Sequence, residues 1–199
     1  MAETILFFDT ETTGFAKFNR PASDPSQPHI VQLAARLVTS EQVLLHEFSS
    51  ILCLPEGAII PDQAAAVHGI STARANGSGI PPKVAMRVFM EMFNLADILV
   101  AHNLPFDLSL INSASYRYLG GFNFDTGTHF CTMRAATPVV KAPPTDKMKA
   151  AGRTHYKSPK LEECIRHFFD EDLEGAHDAM VDAIGCERVY FELKRLGKA

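Results

Sequence analysis

The chain has 199 residues, with 19 Lys and Arg against 23 Asp and Glu and a formal net charge of −4. At roughly 100–200 residues per domain, this length predicts a single domain over residues 1–199, with chain enough for a substantial core. A composition of 46% apolar and 21% charged residues excludes disorder and coiled coil, no apolar run approaches the ~18 residues of a membrane span, and a pI near 6.0 argues against a duplex binder with a strong basic excess.

Residues Thr4 to Phe8 form a short continuous apolar run ending in Asp9. Such a run predicts a strand buried on both faces, hence central in its sheet. His29 to Val38 and Gln42 to Leu52 read as two further strands, and the short Thr39-Ser40-Glu41 break between them predicts an antiparallel hairpin. Met86, Val88, Phe89, Met92, Phe93 and Leu95 recur at helical spacing, with the methionines as core filler. A second apolar strand, Ile98 to Ala101, follows, and Pro105 suits the first turn of a helix running to about Tyr118. A last helix is expected from about Asp178 to Leu196, turning Val181, Ile184, Val189 and Leu193 inward. The order predicts an α/β three-layer domain, a mixed central sheet flanked by helices.

Two stretches stand outside this scaffold. Phe15 to Pro28 is a Pro-, Ser- and Asn-bearing loop after the first strand. Pro138 to Lys160 carries six basic residues against Asp146, a local charge of +5, which reads either as a solvated loop or as a substrate-facing one. Cys53, Cys131, Cys164 and Cys186 show no metal-ligand spacing, and the Met1-Ala2-Glu3 start places an acid where a secretory signal needs basic residues. Both point to a reducing, cytoplasmic location.

Some acids sit where a core would not place them. Asp9 and Glu11 lie two apart at the end of the first strand, so both carboxylates point to one face, where open α/β sheets build their sites. Thr10, Thr12, Thr13 and Gly14 add a polar turn whose N–H groups suit a phosphate. A capping role would need one acid, not two. Asp107 falls in the first turn of a helix, which the helix dipole alone favours. Asp178 reads as an N-cap, whereas Asp182, flanked by Val181, Ala183 and Ile184, is costly unless paired or bound to a cation. His177 stands at the same helix entrance. If the four acids converge, each pair ~4 Å apart costs about 4 kcal/mol at an effective dielectric of 20. Two divalent cations, Mg²⁺ or Mn²⁺ for an all-oxygen set, would offset it and clamp a phosphoryl displacement, with a histidine as base.

These segments resemble a known family. Phe8-Asp9-Thr10-Glu11-Thr12-Thr13-Gly14, Asn103-Leu104-Pro105-Phe106-Asp107 and His177-Asp178-Ala179-Met180-Val181-Asp182 look like the three exonuclease motifs of the DEDD superfamily. The His five residues before the last Asp marks the DEDDh branch. The resemblance spans Phe8 to Asp182. It implies a ribonuclease H-like fold and removal of nucleotides from a 3′ end; the motifs do not read the sugar, and the leading expectation is a single-stranded DNA substrate, DNA favoured over RNA. It implies Asp9, Glu11, Asp107 and Asp182 as ligands of two metal ions and His177 as general base. It further implies that Thr10, Thr12, Thr13, Gly14, Asn103, Phe106 and the His68 of a Val67-His68-Gly69-Ile70-Ser71 signature meet the terminal nucleotide. Phe15 stands where the family often has Leu, and is expected to pack against the terminal base, as aromatics do with any base.

The long Phe15–Pro28 loop and the basic Pro138–Lys160 segment depart from compact family members. They bear on substrate preference, so an exoribonuclease or oligoribonuclease is the nearest alternative. A haloacid-dehalogenase-like phosphatase wants Asp where this chain has Glu11, and leaves Asp107 and His177 unexplained. A silent binding module would be expected to have lost an acid, and none is missing. The four acids equal the whole formal net charge of −4, which two divalent ions would cancel. The oligomeric state has no signature in the sequence.

Overall fold

The computed structural model describes residues 2–199. β1 (Thr4–Thr12), β2 (Ile30–Thr39) and β3 (Leu44–Ile51) form an antiparallel meander. β4 (Ile98–Ala101) and β5 (Thr128–Cys131) then add in parallel on the other side of β1, giving the order β3-β2-β1-β4-β5. The apolar run thus occupies the centre of a mixed sheet, as its two-sided burial requires.

Alternate residues of β1 feed two layers. Leu6 and Phe8 pack with Phe89 of α3 (Pro82–Asn94) and Ile111 of α4 (Leu104–Tyr118). Ile5 and Phe7 pack on the opposite face with Cys186 and Tyr190 of α8 (Ala179–Arg195). Met86 and Met92 are buried in the first of these layers. The remaining helices are α1 (Asp62–His68), α2 (Thr72–Ser78), α5 (Thr132–Val140), α6 (Asp146–Ala150) and α7 (Leu161–Phe169). No helix among the described residues is long and apolar enough to cross a membrane.

The departures from expectation have local causes. β3 starts at Leu44 because Gln42 takes a positive φ of 64° in the hairpin turn. α1 and α2, seven residues each, are too short to show a helical period. β5, Thr-His-Phe-Cys, is four residues long with an exposed first position and does not alternate. The 138–160 stretch is not one loop. α5 runs past Pro138 to Val140, where Pro forfeits one bond near the helix end rather than breaking the helix, and Thr145 caps α6 by accepting from Met148 N.

The last helix matches its expected span, but its inward face differs. Ile184 is 37% exposed and Val181 only half-buried, whereas Ala179, Ala183, Gly185, Cys186, Val189, Tyr190 and Leu193 are buried. Ala179 and Ala183 pack on Ala34 of β2. Small side chains on both partners let the helix approach the sheet closely, turning Ile184 outward.

Candidate active site

The site lies where β1 leaves the sheet. Asp9 and Glu11 share the strand face of Ile5 and Phe7, which α8 covers. Asp178 caps α8, its Oδ1 accepting from Met180 N at 2.9 Å and Val181 N at 3.3 Å. This fixes the first turn and brings Asp182 over Glu11. Side-chain ligand atoms of Glu11, His177 and Asp182 lie within 4.8 Å of one another. His177 adopts a φ of 69°, and its backbone N–H donates to Asp182 Oδ2 at 3.0 Å. The fourth acid enters from the opposite face. Asp107, in the first turn of α4, is 2% exposed. Its Oδ1 accepts from Thr10 N at 3.1 Å and Thr10 Oγ1 at 2.7 Å.

Burial and mutual repulsion make ionisation costly here. Asp9 is pushed well above the ordinary carboxyl range, first by burial and then by Asp107, Asp182 and Glu11. Glu11 rises to about 8 by burial and by Asp182 and Asp107. Asp107 rises to about 7 through burial, against the pull of the two Thr10 bonds. Asp182 rises to about 6 through burial, against the His177 N–H. A hard divalent cation fits this donor set: four carboxylates, all oxygen ligands, mutually repelling and without a lysine or arginine paired to them among the described residues.

Beside the carboxylates opens a cavity of about 430 Å³. Thr10, Thr12, Thr13, Gly14, Phe15, His68 and Phe106 all line it, as does Glu11. Asn103 does not; it enters α4 with a φ of 74°. Within the turn, Thr12 Oγ1 donates to Gly14 O at 2.7 Å, and Thr13 Oγ1 accepts from His29 N at 2.9 Å. Phe15 is 87% exposed at the mouth. His68 Nδ1 accepts from Ile70 N at 3.1 Å, leaving Nε2 buried without a partner among the described residues. Burial lowers its pKa, opposed by the Thr12 backbone and aided by nearby His177.

Four participants escape a sequence reading. Gln32 faces Glu11 across the β1–β2 pairing and is 7% exposed. Its Nε2 donates to Asp178 Oδ2 at 3.0 Å and its Oε1 accepts from Ala179 N at 3.3 Å, tying the α8 cap to the sheet. A lone amide within the apolar run Ile30–Val38 was the available signal. His102 bridges Thr132 Oγ1 at 2.9 Å and Pro159 O at 3.1 Å; burial lowers it to about 4, so the neutral ring donates from Nε2 to the carbonyl. Glu162 Oε1 lies 3.9 Å from His177 Nε2, on a helix face where an acid is unremarkable. Gln63 lines the cavity from α1. In the basic segment, Lys149 pairs with Asp146 at 3.1 Å, Lys157 with Glu163, and Lys160 with Glu162 at 3.8 Å. Lys141, Lys147 and Arg153 keep no ion-pair partner among the described residues.

The chain is similar to known proteins in sequence and in fold. Residues 6–190 match the family model of the RNase T type described as Exonuclease. A DNA polymerase III subunit epsilon-like protein of Rhodobacter capsulatus is 35% identical over 123 residues, 61% of this chain but only 16% of that protein. Among solved structures, E. coli exonuclease I in complex with a dA16 oligonucleotide superposes with a TM-score of 0.76 at 18% identity, over 97% of this chain and 41% of that one. A zinc-bound E. coli exonuclease I–ssDNA complex superposes at 0.74 with 17% identity, over 98% and 41%. The chain therefore spans about two fifths of the exonuclease I structures it matches, and their likeness gives the ribonuclease H-like fold. With the family model covering residues 6–190, nearly the whole chain, the chain belongs to the exonuclease family.

Proposed function

We propose that the chain removes nucleotides one at a time from the 3′ end of single-stranded DNA and releases 5′-mononucleotides. The observation that carries this reading is the convergence of Asp9, Glu11, Asp107 and Asp182 beside an open cavity of about 430 Å³, a volume within the range of roughly 300–1,000 Å³ typical of small-ligand sites. The four carboxylates would hold two divalent cations, Mg²⁺ or Mn²⁺. When bound, such ions polarise the phosphate and stabilise the charge on the attacking and leaving oxygens.

The chain's own residues do the rest. Thr10 holds Asp107 through two hydrogen bonds. Phe15 and Phe106 offer ring faces to the terminal base, a contact that every base accepts, and His68 closes the cavity beside them. His177 takes a proton from the attacking water as its oxygen bonds to phosphorus, and the bond to the 3′ oxygen of the preceding nucleotide breaks. That oxygen leaves as a 3′ hydroxyl after gaining a proton. Histidine suits the task because its side chain exchanges protons near neutral pH. The preference for DNA draws support from what the relatives are, a DNA polymerase subunit-like protein and an exonuclease crystallised with a deoxyadenosine oligonucleotide.

The test is digestion of matched 5′-labelled DNA and RNA oligonucleotides with Mg²⁺, Mn²⁺ or EDTA. A ladder shortening from the 3′ end, faster on DNA and absent in EDTA, is expected. Faster RNA shortening would transfer the reading to an exoribonuclease, and full activity in EDTA would overturn the metal requirement.

A further inference from the structure

A second and larger cleft, about 650 Å³, lies between the start of α4 and the start of α5. Its apolar base is Leu104, Leu108 and Ala135, and its rim is polar. None of it belongs to the acidic site, yet it adjoins that site at two places. Pro105 lines this cleft while Phe106, the next residue, lines the nucleotide cavity. Phe18 lines this cleft while Phe15, one turn of loop away, stands at the mouth of the cavity. The two hollows thus flank one ridge, built from the N-terminus of α4 and the loop after β1.

The chemistry of the cleft fits a nucleotide. Phe18 lines the cleft and is 66% exposed, so its ring face is free to stack on a base. Arg134 is exposed and makes no ion pair or side-chain hydrogen bond among the described residues. Asp125, the acid of the rim, lies 3.4 Å from His129 Nδ1, and Arg134 is the arginine lining the cleft. Asn112 uses its Oδ1 on Phe124 N at 2.9 Å, which leaves the amide N–H groups to donate. A ring face, a free guanidinium and a side-chain amide are the groups that stack a base, meet a phosphate and bond a base edge.

We propose that this cleft is a second nucleotide subsite, seating the strand on the 5′ side of the bond to be cut, with Phe18 stacking a base and Arg134 meeting a phosphate. The proposal rests on the reading above, that the substrate is a single strand whose 3′ end occupies the cavity. It also gives the long loop after β1 a role, since that loop delivers one aromatic ring to each hollow. A strand long enough to cross the ridge engages both sites; a dinucleotide engages only the first.

The test measures kcat/KM for 3′-terminal release from dinucleotide, tetranucleotide, hexanucleotide and dodecanucleotide DNA. It compares the intact chain with Phe18→Ala, Arg134→Ala, Arg134→Lys and the Phe18→Ala/Arg134→Ala pair. For the unsubstituted chain, kcat/KM should rise with length and then level off. In the double variant the dodecamer-to-dinucleotide ratio should fall about tenfold, from the loss of one stacked base and one phosphate contact, and the loss should sit in KM. Arg134→Lys should recover most of the Arg134 contribution. Both residues are exposed, so the variants should keep the parent Tm. An unchanged ratio, or equal losses on every length, would overturn the subsite and leave the cleft to another occupant such as a protein partner. Failure of the unsubstituted chain to shorten any strand would instead overturn the exonuclease substrate reading, so the two failures are distinct.

Discussion

Replacing Glu11 by Gln should stabilise the metal-free protein while removing its activity. Gln keeps the shape of Glu11 but not its charge, and burial together with Asp182 and Asp107 raises the Glu11 carboxyl from 4.5 to about 8. A rise of that size penalises the ionised form by about 5 kcal/mol, which residual contact with solvent reduces to about 3 kcal/mol. The sign follows from linkage. The folded value lies above the unfolded one, so the favourable contribution of Glu11 is complete below about pH 4.5 and is lost as the pH climbs to about 8. Thermal unfolding in EDTA at pH 7.5 should therefore place the Glu11→Gln variant about 6–12 °C above the parent, at roughly 2–4 °C per kcal/mol for a chain this long. At pH 4.5 the gap should close. Saturating Mn²⁺ should narrow or invert it, because binding to the folded state stabilises the parent and the variant lacks one ligand. A variant that melts with or below the parent in EDTA at pH 7.5 would refute the repulsion from which the metal requirement is argued.

Three further outcomes are expected. Asp9→Asn and His177→Ala should each lower exonuclease kcat by at least about a hundredfold, the scale of general-base and metal-ligand losses, with circular dichroism unchanged; a fully active variant of either would remove that residue from the chemistry. Reversing Lys147, Lys149 and Arg153 should weaken single-strand binding and reduce the slope of log K against log salt by about 1.4, because Lys149 is already paired with Asp146 and each freed phosphate contact contributes about 0.7. An unchanged slope would leave the segment a solvated surface with no part in strand binding. Gly79→Ala should cost about 1–3 kcal/mol in urea unfolding through overpacking, since the new Cβ would lie 2.4 Å from Ala75 O, 2.5 Å from Cys53 N and 2.6 Å from Leu52 C, all backbone atoms that cannot swing aside.

What the sequence discloses, and what it hides, follows from which residues violate a local rule. β1 is legible because four apolar residues in a row demand two covered faces, and the acids that end it have no business on a central strand. Asp182 is legible for the same reason: an acid among Val181, Ala183 and Ile184 is anomalous. Asp107 is legible only with its neighbours, since the first turn of a helix favours any acid. By contrast β5 and α1 are too short to declare a period, and the outward turn of Ile184 depends on alanines of two elements meeting at Ala34. Gln32 escaped although an amide in an apolar run breaks a rule, whereas Glu162 and Arg134 break none: a charged residue on an exposed helix face is the ordinary case. The ridge between the two hollows makes the same point. Phe15 and Phe18 read as members of one polar loop until topology sets α4 beneath them and the start of α5 across from it. The chemistry is written in residues that are costly where they stand. The path of the strand is written in residues that are inexpensive anywhere and acquire a purpose only from what the fold places opposite them.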